Sequence, residues 1–503
     1  MRLNRRVASA IAQGSPAVAV GNLAGLPERV LQFGEGNFLR AFVDWMINAM
    51  NARGLFGGRA VVIQPIERGQ IEALNDQDGL YTCILRGRER GRLVERREII
   101  TSISRGIDPY RHWNDFLETA AIRTLRFVVS NTTEAGIAYV EEPRPQGSCP
   151  RSFPAKVTIW LAERFRRLGD TPEAGLIFLP CELIDRNGET LRAHVLQHAT
   201  SWGLPAEFER WVREHNRFLN TLVDRIVPGY PHEEAESLRV QLGYEDQLLT
   251  TGEIFHLWVI EGDNRVAEEF PLTRAGLDVT WTNDLAPYRT RKVAILNGAH
   301  TMSALAAFLA GLETVRECVE DREFGAYMRR ALFNEILPLL PQPEEETRPF
   351  AERVMERLAN PSIKHQLLSI ALNSVAKYRV RVLPSLLQYR AARGHLPPAL
   401  TFSLAALLAF YRGTEIHEGA LCGSRAGAPY PARDDREVLV AFTDAWRAFD
   451  TQGNADVLCR TILARTDFWG EDLSGMPDLL ERVSAHLAQI VREGVRPALR
   501  ALG

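Results

Sequence analysis

Apolar and polar positions divide this chain into two textures. In the first half, short and nearly continuous apolar runs alternate with helical patterns. Arg29-Val30-Leu31-Gln32-Phe33 is followed by Gly34-Glu35-Gly36-Asn37, after which Phe38, Phe42 and Trp45 recur at helical spacing beside Leu39, Val43 and Met46. That order predicts a strand, a tight glycine turn and a helix. Ala60 to Gln64, Leu125 to Ser130 and Leu176 to Pro180 are further apolar runs. Strands without polar alternation are buried on both faces, so they predict a parallel sheet covered on each side by helices. Between the second run and the third, Tyr81 to Leu85 and Leu93 to Ile100 flank Arg86-Gly87-Arg88-Glu89-Arg90-Gly91-Arg92, which predicts an antiparallel hairpin added to that sheet.

From about residue 284 the pattern becomes helical. Asp284 with Pro287 marks a helix start, and Val293, Leu296, Met302, Leu305 and Leu309 follow at helical spacing. Helices are also expected over 313–340, 344–358, 361–375, 398–411, 436–449 and 479–502, with one loop-rich interval from Gly419 to Arg433. No repeat period stands out, which favours one helical domain over a solenoid. The expected boundary divides residues 1–283 from 284–503.

Composition narrows the partners. A formal net charge of −3 over 503 residues provides no basic field for nucleic acid. No stretch approaches the ~20 apolar residues of a membrane span, and the N-terminus lacks the apolar run of a signal peptide, so a cytoplasmic protein is expected. The six cysteines are scattered without a close pair, and no zinc-binding spacing occurs, so neither a disulfide framework nor a metal site is expected. A small soluble substrate fits better, with the protein a monomer or a small homo-oligomer.

Three segments carry chemistry. Gly34-x-Gly36, with Asn37 and Phe38 opening the helix, is the start of a dinucleotide fingerprint: glycines let the backbone approach a pyrophosphate at a helix N-terminus. Together these features predict an α/β, Rossmann-like first domain with an added β-hairpin, and a mostly α-helical second domain. The fingerprint is incomplete, because Leu39 takes the place of the third glycine. Gln64 stands where an acidic residue would bind the adenosine ribose, with Glu67 and Arg68 just beyond, so local chemistry leaves NAD and NADP open. Asn131, Thr132 and Glu134 follow the third apolar run at the sheet's carboxyl edge, where they either border the nicotinamide or cap the next helix. Finally, Lys292, Asn297 and His300 bring an amine, an amide and an imidazole to one helix: a proton exchanger with groups that hold an oxygen as charge develops. The same spacing also fits an ordinary helix surface.

Four motifs, Gly34-x-Gly36-x-Phe38-x-Arg40, Thr133-Glu134-x-Gly136, Glu253-x-Phe255-x-x-Trp258-Val259-Ile260-Glu261 and the Lys292/Asn297/His300 set, span nearly the whole chain. Together they resemble the long-chain polyol dehydrogenase family, which includes mannitol dehydrogenases and hexuronate reductases. Val30 to Trp45 and Leu179 to Ile184 are similar to the hexuronate branch. The resemblance implies a metal-independent, NAD-linked reduction of D-tagaturonate to D-altronate, with the active site between the two domains. It implies that Lys292 is the acid, Asn297 the donor to the alkoxide and His300 a substrate ligand, with Asp224 and Lys377 as further substrate contacts. Two positions depart from the polyol pattern: Leu183 replaces a second oxyanion-binding Asn, leaving Asn187 or Asn131 as alternatives, and Arg289 replaces an acidic residue. A cation there suits an anionic sugar acid, as do Lys377, Arg379 and Arg381, any of which is placed to meet a carboxylate; the run also fits an alternating strand or loop. The rival readings are a fructuronate reductase, a mannitol-type polyol dehydrogenase, and, from another class, a catalytically silent dinucleotide-binding redox sensor.

Overall fold

In a computed structural model the described residues are 1–14, 17–89, 91–132 and 136–502. The chain divides after Leu285 into two compact units. The first contains strands β1 (Ala19–Val20), β2 (Glu28–Phe33), β3 (Arg59–Ile63), β4 (Tyr81–Glu89), β5 (Arg92–Ile100), β6 (Ile103–Ile107), β7 (Phe127–Ser130), β8 (Ile177–Pro180), β9 (Arg217–Phe218), β10 (Thr221–Asp224), β11 (Thr250–Glu253), β12 (Leu257–Glu261) and β13 (Val279–Thr282). Six of these form a parallel sheet in the order β6-β3-β2-β7-β8-β9. Strand order reverses between β2 and β7, and at such a switch point the carboxyl ends leave a crevice for ligands.

The apolar runs behave as their pattern requires. Val30, Ala60, Val62, Phe127 and Val129 enter one core, while Leu31, Phe33, Val61, Ile63 and Val128 enter another on the opposite face. Both faces are therefore dry, which explains why the strands carry no polar alternation.

The β4/β5 hairpin is present, but it builds a separate sheet, β1-β5-β4-β11, rather than extending the parallel one. Its sheet partners are Ala19–Val20 and Thr250–Glu253, and no local pattern announces pairing over such distances. The helix after the glycine turn is also broken, into Asn37–Arg40 and Val43–Ala52. The carbonyls of Arg40 and Ala41 are taken by the Tyr81 hydroxyl and the Arg225 guanidinium, two long-range donors that interrupt the helical ladder.

The second unit is mostly helical. Its Pro398–Phe410 helix is buried on every side from Ala399 to Phe410 and packs against the Gly298–Leu309 and Pro477–Glu493 helices. Two expectations change here. The interval Gly419 to Arg433, expected as loop, holds Ala420–Arg425 and Ala428–Ala432, strands of a small antiparallel sheet that also includes Ile416–His417. Pro429 and Pro431 lie on an edge strand, where a missing N–H is tolerated. The helix expected over 361–375 shrinks to Leu367–Ile370, and a new helix, Ser374–Arg381, begins after Asn373, whose φ is +51°.

Glu335, only 2% exposed, accepts the N–H groups of Ala399 and Leu400 at 2.9 Å each, capping the central helix from a distance. Glu335→Ala leaves those two donors buried and unpaired. Urea unfolding is expected to show a loss of roughly 2–5 kcal/mol; a shift of the midpoint equivalent to less than ~0.5 kcal/mol would deny the carboxylate that role.

Among the described residues no helix is long and apolar enough to cross a membrane, and no group of three or more His, Cys, Asp or Glu side chains is placed to hold a metal ion. The cysteines are all free thiols.

Candidate active site

The carboxyl edge of the parallel sheet is built around Gly34. Its φ of +119° is a glycine conformation, and a Cβ there would lie 3.1 Å from the carbonyl of Asn131, so the loops after β2 and β7 meet at the switch point. Gly36 is exposed, with nothing within 4 Å of where its Cβ would stand, and this leaves the turn open to a ligand. Asn37 turns back instead: its Oδ1 accepts from Arg40 at 2.7 Å and from Thr250 at 3.2 Å. Phe38 stacks on Phe42 at 4.9 Å.

At the ends of β3 and β6 lies a cavity of about 510 Å³ whose lining includes Gln64, Glu67, Arg68, Gly69, Asp108 and Arg111. Gln64 is nearly buried, and its amide donates to the carbonyls of Ile66 and Glu67, so it shapes the cavity wall. Past β7, the Asn131 amide donates to Cys181 O, and Thr132 is held through its N–H and hydroxyl by Glu182 Oε1, 3.0 Å from each. Glu182 also accepts from Ser130 through its other oxygen, and burial pushes its pKa up. Glu134 lies outside the described residues. Glu182 was missed from sequence because a carboxylate after an apolar strand carries no sign of what it will anchor.

In the second unit, the Lys292 segment is one helical run in three parts: Ala286–Lys292 is α-helical, Val293–Asn297 is a π-helical turn, and Gly298–Leu309 is α-helical again. In a regular α-helix Lys292 and Asn297 would point about 140° apart. A turn with i→i+5 bonding holds about 4.4 residues, which narrows that separation to roughly 50°, and Asn297 and His300 are already neighbours at i, i+3. By spacing, the π turn therefore brings Lys292 toward the side of the run that carries Asn297 and His300. Lys292 is 9% exposed; Asn297 and His300 are half-buried. Arg291 turns the other way, its guanidinium 4.6 Å above the Phe350 ring.

The Ser374–Arg381 helix packs against this run. A Cβ on Gly298 would stand 3.3 Å from Arg381 O, so glycine at the π/α junction admits a close backbone approach. Helical spacing puts Lys377 and Arg381 on one face and Arg379 on another. Lys377 Nζ donates to Ile370 O at 3.1 Å, whereas Arg379 donates to Asp467 O and lies against Gly470. The run is a helix rather than an alternating strand, and helical spacing turns Arg379 away from the side that Lys377 and Arg381 share. His365, which no motif singled out, sets its ring edge-on to His300 at 5.1 Å.

The description "Mannitol dehydrogenase Rossmann domain" matches residues 28–274, and "Mannitol dehydrogenase C-terminal domain" matches 284–491. The chain belongs to the mannitol dehydrogenase family. Among its relatives are proteins named altronate oxidoreductase: that of Halalkalibacterium halodurans is 45% identical over 94% of this chain and 93% of its own length, and that of Klebsiella pneumoniae strain 342 is 46% identical over 95% and 98%. The fold is shared with Pseudomonas fluorescens mannitol 2-dehydrogenase, solved with NAD and D-mannitol, at 21% identity and a TM-score of 0.71 over 100% of this chain and 99% of that one. It is shared as well with a D-sorbitol dehydrogenase solved without substrate, at 19% identity and a TM-score of 0.80 over 99% and 100%.

Within this family the chain's two departures acquire a setting: Arg289 is half-buried in the Ala286–Lys292 helix. Leu183 is 59% exposed just past β8, an apolar side chain at a polar edge. Of the two amides expected as alternatives to the missing Asn, Asn187 donates to the carbonyls of Pro180, Glu182 and Thr221, and Asn131 to Cys181; both are engaged in holding the loops. Asp224 ends β10, opposite Leu257 of β12, and is 6% exposed.

Proposed function

We propose that this chain catalyses the metal-independent, NAD-linked reduction of D-tagaturonate to D-altronate. The π turn between Lys292 and Asn297 is the observation that carries the chemistry, because its spacing swings Lys292 toward the side of Asn297 and His300, and the similarity to altronate oxidoreductases over nearly the full chain supports the substrate. NAD(H) supplies the hydride when bound. The open Gly34–Gly36 turn and the cavity beside Gln64 fit its pyrophosphate and adenosine halves. Four carboxylates line that cavity (Glu67, Glu72, Asp76, Asp108) against two guanidiniums (Arg68, Arg111), a balance that disfavours the extra phosphate of NADP.

As the carbonyl carbon is reduced, Lys292 delivers a proton to its oxygen and is reprotonated from solvent. Asn297 donates a hydrogen bond to that oxygen while it carries negative charge, and His300 orients the neighbouring hydroxyl. Asp224 is a further proposed substrate contact. Lys377 and Arg381, sharing one helix face beside the π turn, bind the uronate carboxylate.

Initial rates of NADH oxidation with tagaturonate, fructuronate and fructose test this reading. Tagaturonate is expected to be fastest; faster turnover of fructose would overturn it. The helix geometry adds a sharper contrast. Arg381→Met should raise the KM for the uronate by about 10- to 150-fold, the value of a hydrogen bond to a charged group, while Arg379→Met stays within about threefold. The reverse ranking would move the carboxylate site to the Arg379 side of the helix.

A further inference from the structure

Glu35 stands between the two glycines of the cofactor turn, where a carboxylate has the wrong charge for a pyrophosphate neighbour. Its side chain does not escape to solvent: it is 8% exposed, Oε1 accepts the N–H of Gln70 at 3.2 Å, and Oε2 is buried without a hydrogen-bond partner. The bond to Gln70 joins the glycine turn to the 64–70 segment, which walls the cavity described above.

A shortage of donors marks the same spot. A Cβ on Gly69 would fall 2.2 Å from Glu35 Oε1 and 2.4 Å from Gln64 Oε1, so two acceptor oxygens converge on one glycine. The amide hydrogens of Gln64 point elsewhere, to Ile66 O and Glu67 O. The Gln70 N–H and the backbone N–H of Glu35 itself thus serve a region holding three acceptor oxygens, of which Glu35 Oε2 is left buried without a partner, and a proton on the carboxyl would supply a further donor. Arg40 and Asp108 are the charges that act on Glu35, with Glu67 and Arg68 in the adjoining cavity wall. Burial pushes the carboxyl above its usual range, with Asp108 adding to this and the backbone bonds and Arg40 opposing it.

We propose that Glu35 is a positioning residue for the adenosine half of the dinucleotide, and that its carboxyl takes up one proton when the dinucleotide binds. The pyrophosphate brings two negative charges to the turn, which favour the neutral carboxyl. In that form Glu35 holds the 64–70 segment in place without repelling the ligand. The inference rests on NAD(H) being the cofactor and is independent of which sugar acid is reduced.

Linkage sets the sign. Below the pKa of the free carboxyl, binding is insensitive to this group. Between the free and the bound pKa, binding consumes a proton, so the Kd for NADH rises by up to tenfold per pH unit. Calorimetric titration of the full chain with NADH in two buffers of different ionisation heat counts the proton, and NADH fluorescence measures Kd from pH 5.5 to 9. The wild type is expected to take up nearly one proton within that window. Glu35→Gln keeps an acceptor for Gln70 and cannot titrate; it should take up none and hold a flat Kd within about threefold of the wild-type low-pH value. Glu35→Ala, which removes the anchor as well as the titrating group, should hold a flat Kd for both NADH and AMP about tenfold above the wild-type low-pH value. No proton uptake by the wild type, unchanged uptake by Glu35→Gln, or a Glu35→Gln variant weakened more than tenfold throughout would each overturn the proposal. Absent NADH binding would instead overturn the cofactor reading, and a chain that binds NADH but ignores tagaturonate would overturn only the substrate reading.

Discussion

Lys292→Met is expected to lower kcat for tagaturonate reduction by about 10²–10⁴-fold, the range that general acid catalysis contributes. NADH binding should not change, because the glycine turn and the cavity beside Gln64 belong to the first unit. Met reproduces the Lys side chain as far as Cε and suits a position that is 9% exposed, so the loss reports on the proton rather than on packing. The informative companion is Lys292→Arg. A guanidinium keeps the positive charge that would attract a sugar acid, but it does not give up a proton at any ordinary pH. If Lys292 acts as the acid, Lys292→Arg should be nearly as slow as Lys292→Met while retaining most of the substrate affinity. Should Lys292→Arg retain more than about a tenth of wild-type kcat, Lys292 would be a binding charge and the proton would come from another group.

That experiment depends on a feature the sequence shows only in part. Lys292, Asn297 and His300 are legible as residue types in one helix, yet helical spacing alone sends Lys292 away from Asn297. The π turn that reunites them leaves no periodic mark, because one extra residue in a turn looks the same in a hydrophobic pattern as an ordinary drift. The parallel sheet was legible because both faces of β2, β3, β7 and β8 are dry, so burial itself wrote the pattern. The hairpin was legible as a pair, but its membership in a separate sheet depends on β1 and β11, contacts set by the whole fold. Lys377-Tyr378-Arg379-Val380-Arg381 alternates like a strand, and only helical packing separates Arg379 from its neighbours. Glu35, Glu182 and His365 matter through what they touch, and single positions give no sign of that.

Asn297→Ala is expected to cost about 10²–10³-fold in kcat, the usual consequence of removing one donor from a developing oxyanion, with KM changed only a fewfold. The magnitude follows from the absence of a ready substitute. Asn187 is buried with its amide shared among three carbonyls, and redirecting it would release the Pro180, Glu182 and Thr221 contacts that tie β8 to β10. Asn131 donates to Cys181 O beside the glycine turn, and Leu183 has nothing to donate. Asn297→Asp sharpens the test, because it keeps the shape but places a negative charge where the alkoxide forms. It should be slower than Asn297→Ala, and slower still as pH rises and the new carboxyl ionises. If Asn297→Ala keeps kcat within threefold of the wild type, the alkoxide is held by another donor, and His300, on the same face of the helix, is the first to examine.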